Sequence, residues 1–260
     1  CDDVEATVYP GAPTICGDLL VNDCGGSDTG CELTGGGLVT AYDQASWFGI
    51  TASDNVGVSG AGVGDIDADG NDDILFGANT YDPTGMVTNA GRAWLYAGGA
   101  LSGETELAQS AAGYATFSGS STTNADYLGF QVASAGSFVG AATADVVIGA
   151  PNMKVGSFSV AGETYVFSDP AGATSKTGAS LIVQGRAGSD NVGYDVSGGW
   201  DVNDDGQDDV VVGAYGYDTA SSSSVYDGMA GVFFGGTTGT QLLTAASAAF
   251  TGTAAGSEPA

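Results

Sequence analysis

Two nine-residue stretches of this chain place oxygen-bearing side chains at alternate positions. The first is Asp65-Ile66-Asp67-Ala68-Asp69-Gly70-Asn71-Asp72-Asp73; the second is Asp201-Val202-Asn203-Asp204-Asp205-Gly206-Gln207-Asp208-Asp209. In both, positions 1, 3, 5 and 9 carry an Asp or Asn, and a glycine at position 6 permits a sharp reversal of the backbone. Position 7, Asn71 or Gln207, can offer its main-chain carbonyl. Hard oxygen donors in this number and order suit a calcium ion.

A helix-flanked calcium hand also begins with alternating acids and a glycine, but it needs a bidentate Glu at position 12 and a helix on either side. Position 12 here is Phe76 or Val212. Both lie in apolar runs, Ile74-Leu75-Phe76-Gly77-Ala78 and Val210-Val211-Val212-Gly213-Ala214, which read as short buried strands. The loops are therefore expected to join strand to strand.

Composition supports strands and turns over helices. Of 260 residues, 45 are glycine and 43% are hydrophobic, enough for a sizeable core threaded by many tight turns, and no amphipathic pattern extends beyond about three helical turns. The expected class is all-β. Acidic residues number 31 against four basic ones (Arg92, Lys154, Lys176, Arg186), a formal charge of −27. Such a field repels nucleic acid and anionic membrane and attracts divalent cations. Without a cation, the clustered Asp side chains should repel one another and loosen the loops. Histidine is absent, which excludes Ser-His-Asp and Cys-His catalysis and any His-ligated zinc. No apolar run approaches the roughly 20 residues of a membrane helix. No signal peptide is visible, so an exported protein would be represented here by a mature form or a fragment.

The four cysteines, Cys1, Cys16, Cys24 and Cys31, all fall in the first 31 residues among Gly, Asp and Pro. A segment with so little apolar material is expected to be stapled by two disulfides, with three pairings open, in an oxidising compartment. Zinc bound by four thiolates is the rival, and the spacing lacks the paired C-x2-C knuckles of such sites. The run from Cys1-Asp2-Asp3-Val4-Glu5 to Cys16, followed by Asn22-Asp23-Cys24-Gly25, resembles a metal-binding repeat of secreted myxobacterial and MopE-like surface proteins. That pattern continues with an acid directly after the last cysteine, where this chain has Gly25. The resemblance implies Asp2, Asp3, Asp18 and Asp23 as candidate ligands, and a disulfide-stapled cap is the alternative. The expected organisation is a cysteine-rich module over 1–36, a hinge at Gly35-Gly36-Gly37, and a second region over 37–260.

Internal repeats organise that second region. Ser53-Asp54-Asn55-Val56-Gly57 is echoed by Ser189-Asp190-Asn191-Val192-Gly193 and, more weakly, by Ala125-Asp126-Tyr127-Leu128-Gly129. Eight residues after each glycine comes loop position 1: Asp65, Ser137 and Asp201. Apolar runs follow, ending at Gly77-Ala78, Gly149-Ala150-Pro151 and Gly213-Ala214. Next come Gly91-Arg92-Ala93-Trp94-Leu95-Tyr96, Gly162-Glu163-Thr164-Tyr165-Val166-Phe167 and Gly231-Val232-Phe233-Phe234-Gly235, and a weaker strand closes each unit near Phe117, Ile182 or Phe250. Four strands per unit is the content of a propeller blade. These units resemble FG-GAP repeats, the blades of the integrin α-subunit propeller and of bacterial surface proteins, over about residues 46–252.

The resemblance implies calcium bound by Asp65, Asp67, Asp69, Asn71 and Asp73, and by Asp201, Asn203, Asp205, Gln207 and Asp209. The middle loop, Ser137 to Asp145, keeps only its last acid, so no calcium is expected there. The resemblance also implies a non-catalytic, secreted bacterial protein of the cell surface that binds a protein or glycan through loops such as Asn79-Thr80-Tyr81-Asp82-Pro83 and Tyr215-Gly216-Tyr217-Asp218. Three units are fewer than the four to eight of a closed propeller. An alternative is therefore a structural subunit that meets copies of itself through blade edges in a calcium-dependent filament. A two-carboxylate glycan hydrolase is a third possibility, and the acids of recognisable spacing are already taken by the loops.

Overall fold

The computed structural model describes residues 45–49, 53–82, 88–98, 103–106, 115–119, 125–140, 143–170, 172–219 and 226–252. The cysteine-rich segment and the Gly35–Gly37 hinge lie outside the described residues. Apart from a few residues of β1 and β5, everything described belongs to one compact body built from residues 47–101 and 105–260.

The chain is all-β. In order, the strands are β1 (Ala45–Phe48), β2 (Ser59–Gly64), β3 (Asp73–Ala78), β4 (Arg92–Tyr96), β5 (Gly103–Glu106), β6 (Ala115–Ser118), β7 (Val132–Gly136) and β8 (Asp145–Ala150). They continue as β9 (Glu163–Phe167), β10 (Gly172–Thr174), β11 (Leu181–Gln184), β12 (Val192–Trp200), β13 (Asp209–Ala214), β14 (Met229–Phe233), β15 (Gly239–Leu242) and β16 (Ala248–Thr251). The three repeats form three antiparallel four-stranded sheets, β2-β3-β4-β6, β7-β8-β9-β11 and β12-β13-β14-β16, while β1 and β5 pair with each other.

Equivalent residues make equivalent bonds. The N–H of Gly91 donates to Tyr81 O, that of Gly162 to Met153 O and that of Gly228 to Tyr217 O, at 3.0, 2.9 and 2.9 Å. The third unit's counterpart of Gly91 is thus Gly228, three residues before the Gly231 expected from sequence; a glycine inside β14 had drawn the alignment forward. The outer strands also differ from expectation. The connector between the third and fourth strands of a unit forms a short strand that joins the preceding sheet in parallel: β10 pairs with β6, and β15 with β11.

The apolar run of the second unit is continuous because a sheet stacks on each side of it. All of β8 is buried. The back of the first sheet (Leu75, Leu95, Phe117) meets the front of the second (Ile148, Tyr165, Phe167) in one core. The back of the second (Val147, Val166, Val183) meets the front of the third (Val210, Val212, Phe233) in another. The repeated Gly-Ala ending has a steric origin at these seams. A Cβ on Gly77 would lie 2.0 Å from Gly129 O, and one on Gly149 the same distance from Gly193 O, so adjacent sheets approach main chain to main chain.

Candidate metal centre

Each acidic loop hangs between the first two strands of its sheet, and its backbone is folded around its own carboxylates. In the first loop, Asp65 Oδ1 accepts the Asp69 N–H (3.0 Å), Asp65 Oδ2 accepts the Gly70 N–H (2.9 Å), and Asp69 Oδ1 accepts the Asn71 N–H (2.8 Å). The third-unit loop repeats these bonds: Asp201 Oδ1 from Asp205 N–H (3.1 Å), Asp201 Oδ2 from Gly206 N–H (2.8 Å), and Asp205 Oδ1 from Gln207 N–H (2.9 Å). Position 4 is left-handed in both, Ala68 at φ 62° and Asp204 at φ 61°, and the position 6 glycines stand at 92° and 87°. A left-handed Ala at an exposed site costs about 1 kcal/mol, which the convergent bonds offset.

Position 9 has a second task. Asp73 is buried, with Oδ2 accepting the Ile66 N–H at 2.8 Å and Oδ1 accepting the Gly98 N–H at 2.7 Å. Asp209 does the same to Val202 (2.9 Å) and Gly235 (2.8 Å). One carboxylate therefore pins the start of its loop to the end of the sheet's third strand. In the middle loop Asp145 Oδ2 accepts the Val139 N–H at 2.8 Å. This accounts for the survival of that single acid in a loop without the others: the clamp needs it.

Asp145 Oδ1 is buried with no hydrogen bond of good geometry. Burial pushes its carboxyl up to about 6, partly relieved by the Val139 amide, the Ser168 hydroxyl and the Asp169 amide. The middle loop is also tied from outside, since Asp208 Oδ2 accepts both the N–H and the hydroxyl of Ser137, at 2.8 and 3.1 Å. Neither role is visible in residue spacing. The retained position 9 acid was the one available signal of the clamp.

The first loop brings Asp65, Asp67 and Asp73 together: each offers a carboxylate oxygen, and the three lie within 4.8 Å of one another. Asp69 stands outside this trio, held to Asn71. Desolvation, followed by the negative charges of Asp69, Asp73 and Asp65, raises the Asp67 carboxyl above its ordinary value. In the third-unit loop the Gly206 N–H, with further amides of the loop, holds the Asp201 carboxyl below its ordinary value. The donors of the first loop suit a hard divalent cation: all are oxygens, they converge without a basic side chain between them, and their mutual repulsion is uncompensated by any cationic residue of the loop.

The two loops expected to meet a partner divide. Tyr81 and Tyr217 are packed, each beneath a guanidinium, with Arg92 4.5 Å and Arg186 4.4 Å from the ring centres. Tyr215 is exposed and stands in a row with Tyr194 (4.5 Å between ring centres) and Tyr226 (6.0 Å), both also exposed, and Phe130 lies 4.9 Å from Tyr194. Pro83 lies outside the described residues. Among the described residues no helix is long and apolar enough to cross a membrane.

No protein-family model matches the chain. It is 30% identical to integrin alpha-5 of Xenopus laevis over 188 residues, which are 68% of this chain and 15% of that relative. The chain thus spans a small part of the length of the curated relative it matches. Over those residues the relationship is integrin-like.

Proposed function

We propose that this is an extracellular, non-catalytic adhesion or scaffolding module of FG-GAP type, a run of propeller blades whose loops are closed by calcium. The observation that carries the reading is the duplicated loop, alike in sequence, in left-handed positions and in carboxylate-to-amide bonds. Asp65, Asp67, Asp69 and Asp73 with the Asn71 carbonyl would hold one ion; Asp201, Asn203, Asp205 and Asp209 with the Gln207 carbonyl would hold the other. When bound, the cation supplies positive charge that removes the repulsion among the carboxylates. The role is structural: a loop fixed at both ends of a strand pair presents the adjacent connections rigidly. The exposed row of Tyr194, Tyr215 and Tyr226 supports a protein ligand as partner, since tyrosine offers large contact area with a polar tip and the alignment to an integrin α chain points the same way. The cysteine-rich segment serves in this reading as a disulfide-stapled cap ahead of the blades.

Trp200 directly precedes Asp201 and is half exposed, which gives the third-unit loop a built-in donor for luminescence. Terbium added to the metal-free chain should light up on tryptophan excitation and be displaced by calcium, and Asp201→Ala should abolish most of the signal. Emission that is unaffected by calcium, or by that substitution, would contradict the reading.

A further inference from the structure

The position 9 clamp recurs in all three units, and in the middle one its second half is broken. Seven residues after Gly91, Gly162 and Gly228 stand Gly98, Asp169 and Gly235. The Gly98 and Gly235 amides donate to Asp73 Oδ1 and Asp209 Oδ1 at 2.7 and 2.8 Å. A Cβ on either glycine would lie 2.3 Å from the acidic loop, against Asp72 O or Gln207 Cβ. A side chain does not fit that backbone path, and Asp169 turns into the left-handed region at φ 46°. Asp145 Oδ1, the counterpart of the oxygens satisfied in the other units, is left buried without a hydrogen bond of good geometry, as is the Ser168 hydroxyl.

The residue after Asp169 is Pro170. Proline pushes the residue before it toward extended backbone, so a left-handed Asp here is strained on two counts. The bond between them is a tertiary amide whose nitrogen departs as a secondary amine, and an aspartate side chain reaches its own main-chain carbonyl carbon by closing a five-membered ring. Asp169 is exposed and Pro170 is buried. Asp145 lies against the Asp169 amide and the Ser168 hydroxyl on the turn after β9 and against the Val139 amide of its own loop, with Asp169 as its charged neighbour. Burial, to which the Asp169 charge adds, holds the Asp145 carboxyl at about 6, so it carries a proton in mild acid.

We propose that the Asp169–Pro170 bond is a self-cleavage site, with Asp169 as nucleophile and Asp145 as proton donor. The Asp169 carboxylate attacks its own main-chain carbonyl carbon; a C–O bond forms, the C–N bond to Pro170 breaks, and the Pro170 nitrogen takes the Asp145 proton. One water opens the resulting cyclic anhydride into two carboxyl groups and restores the proton to Asp145. The net change is hydrolysis of one peptide bond, a single turnover of the chain on itself. The halves stay together, since β9 and β11 on either side of the break pair with each other. The step requires no metal in the loops.

Mass spectrometry of the full chain held at about pH 5 and about pH 8 tests it. In acid the chain should convert to fragments 1–169 and 170–260, whose masses sum to that of the chain plus one water, with Pro170 as a new N-terminus. Asp169→Ala should abolish conversion. Asp145→Asn, which keeps a polar group of the same size in the clamp, should slow it at least about tenfold while circular dichroism shows the fold retained. The Asp82–Pro83 bond is an internal control: Asp82 is not left-handed, its Oδ1 accepts the Asn89 N–H, and that bond should stay whole. A chain intact at both pH values would overturn the proposal. So would cleavage in urea as fast as in buffer, which would reduce it to the ordinary acid lability of an Asp–Pro bond, or an unchanged rate and pH profile in Asp145→Asn.

Discussion

Asp209→Ala should lower stability by about 3 kcal/mol even in the complete absence of divalent cations. The side chain is buried and accepts two amide hydrogens, from Val202 and Gly235, at 2.9 and 2.8 Å. Hydrogen bonds to a charged acceptor contribute about 1.5–3 kcal/mol each, and part is recovered here because the Val202 amide sits on an exposed turn and can rehydrate. For a body of this size the loss corresponds to a fall of roughly 6–12 °C in melting temperature. Asp205→Ala is the contrast. Its Oδ1 accepts the Gln207 amide and its Oδ2 the Asn203 side-chain N–H, both exposed to water, so in chelator it should cost under about 1 kcal/mol. Asp145→Ala provides the second contrast, since it removes a clamp from a loop that lacks the other ligands; its cost should be the same with and without calcium. Thermal melts followed by circular dichroism in EDTA decide this, and an Asp209→Ala chain as stable as wild type there would remove the clamp from the account.

Calcium should raise the melting temperature of the wild-type chain by about 10–20 °C. A site filled at a hundredfold excess over its dissociation constant adds about 2.7 kcal/mol, and two sites add roughly 5. The gain has a definite electrostatic origin in the first loop, where Asp65, Asp67 and Asp73 converge within 4.8 Å. A general screening of the −27 charge would also stabilise the chain, and any salt would supply that, so the comparison is made at fixed ionic strength with sodium as the control. Asp69→Ala and Asp205→Ala should each remove about half of the calcium increment. Both together should leave a chain whose melting is indifferent to EDTA.

Much of this was legible in the sequence because the repeats repeat for physical reasons. Gly77 and Gly149 recur because a neighbouring carbonyl occupies the space of a side chain, and Asp65 and Asp201 recur because each gathers amides of its own loop. The apolar runs announced strands, and in β8 the continuity matches burial on both faces, whereas the equally continuous β13 leaves Val211 and Gly213 half buried. What stayed hidden depended on partners distant in the chain. The parallel strands β10 and β15 are short and weakly apolar, and their pairing with β6 and β11 follows from stacking that no local pattern records. Gly231 misled the alignment of β14 because glycine there serves the contact with Leu243 and Ala246, a role different from that of Gly91. The bond from Ser137 to Asp208 joins residues 71 apart. Tyr81 and Tyr217 matched a binding loop in composition and proved to be packed under arginines, while Tyr194, outside any loop singled out beforehand, is exposed.

The claim at the centre is that two loops, and not the middle one, take calcium. Calorimetric titration of the metal-free chain with calcium measures this directly. The account predicts two ions per chain, falling to one in Asp65→Ala and to one in Asp201→Ala, and remaining two in Asp145→Asn. Heat that shows no saturable uptake, or a stoichiometry unchanged by the first two substitutions, would contradict it.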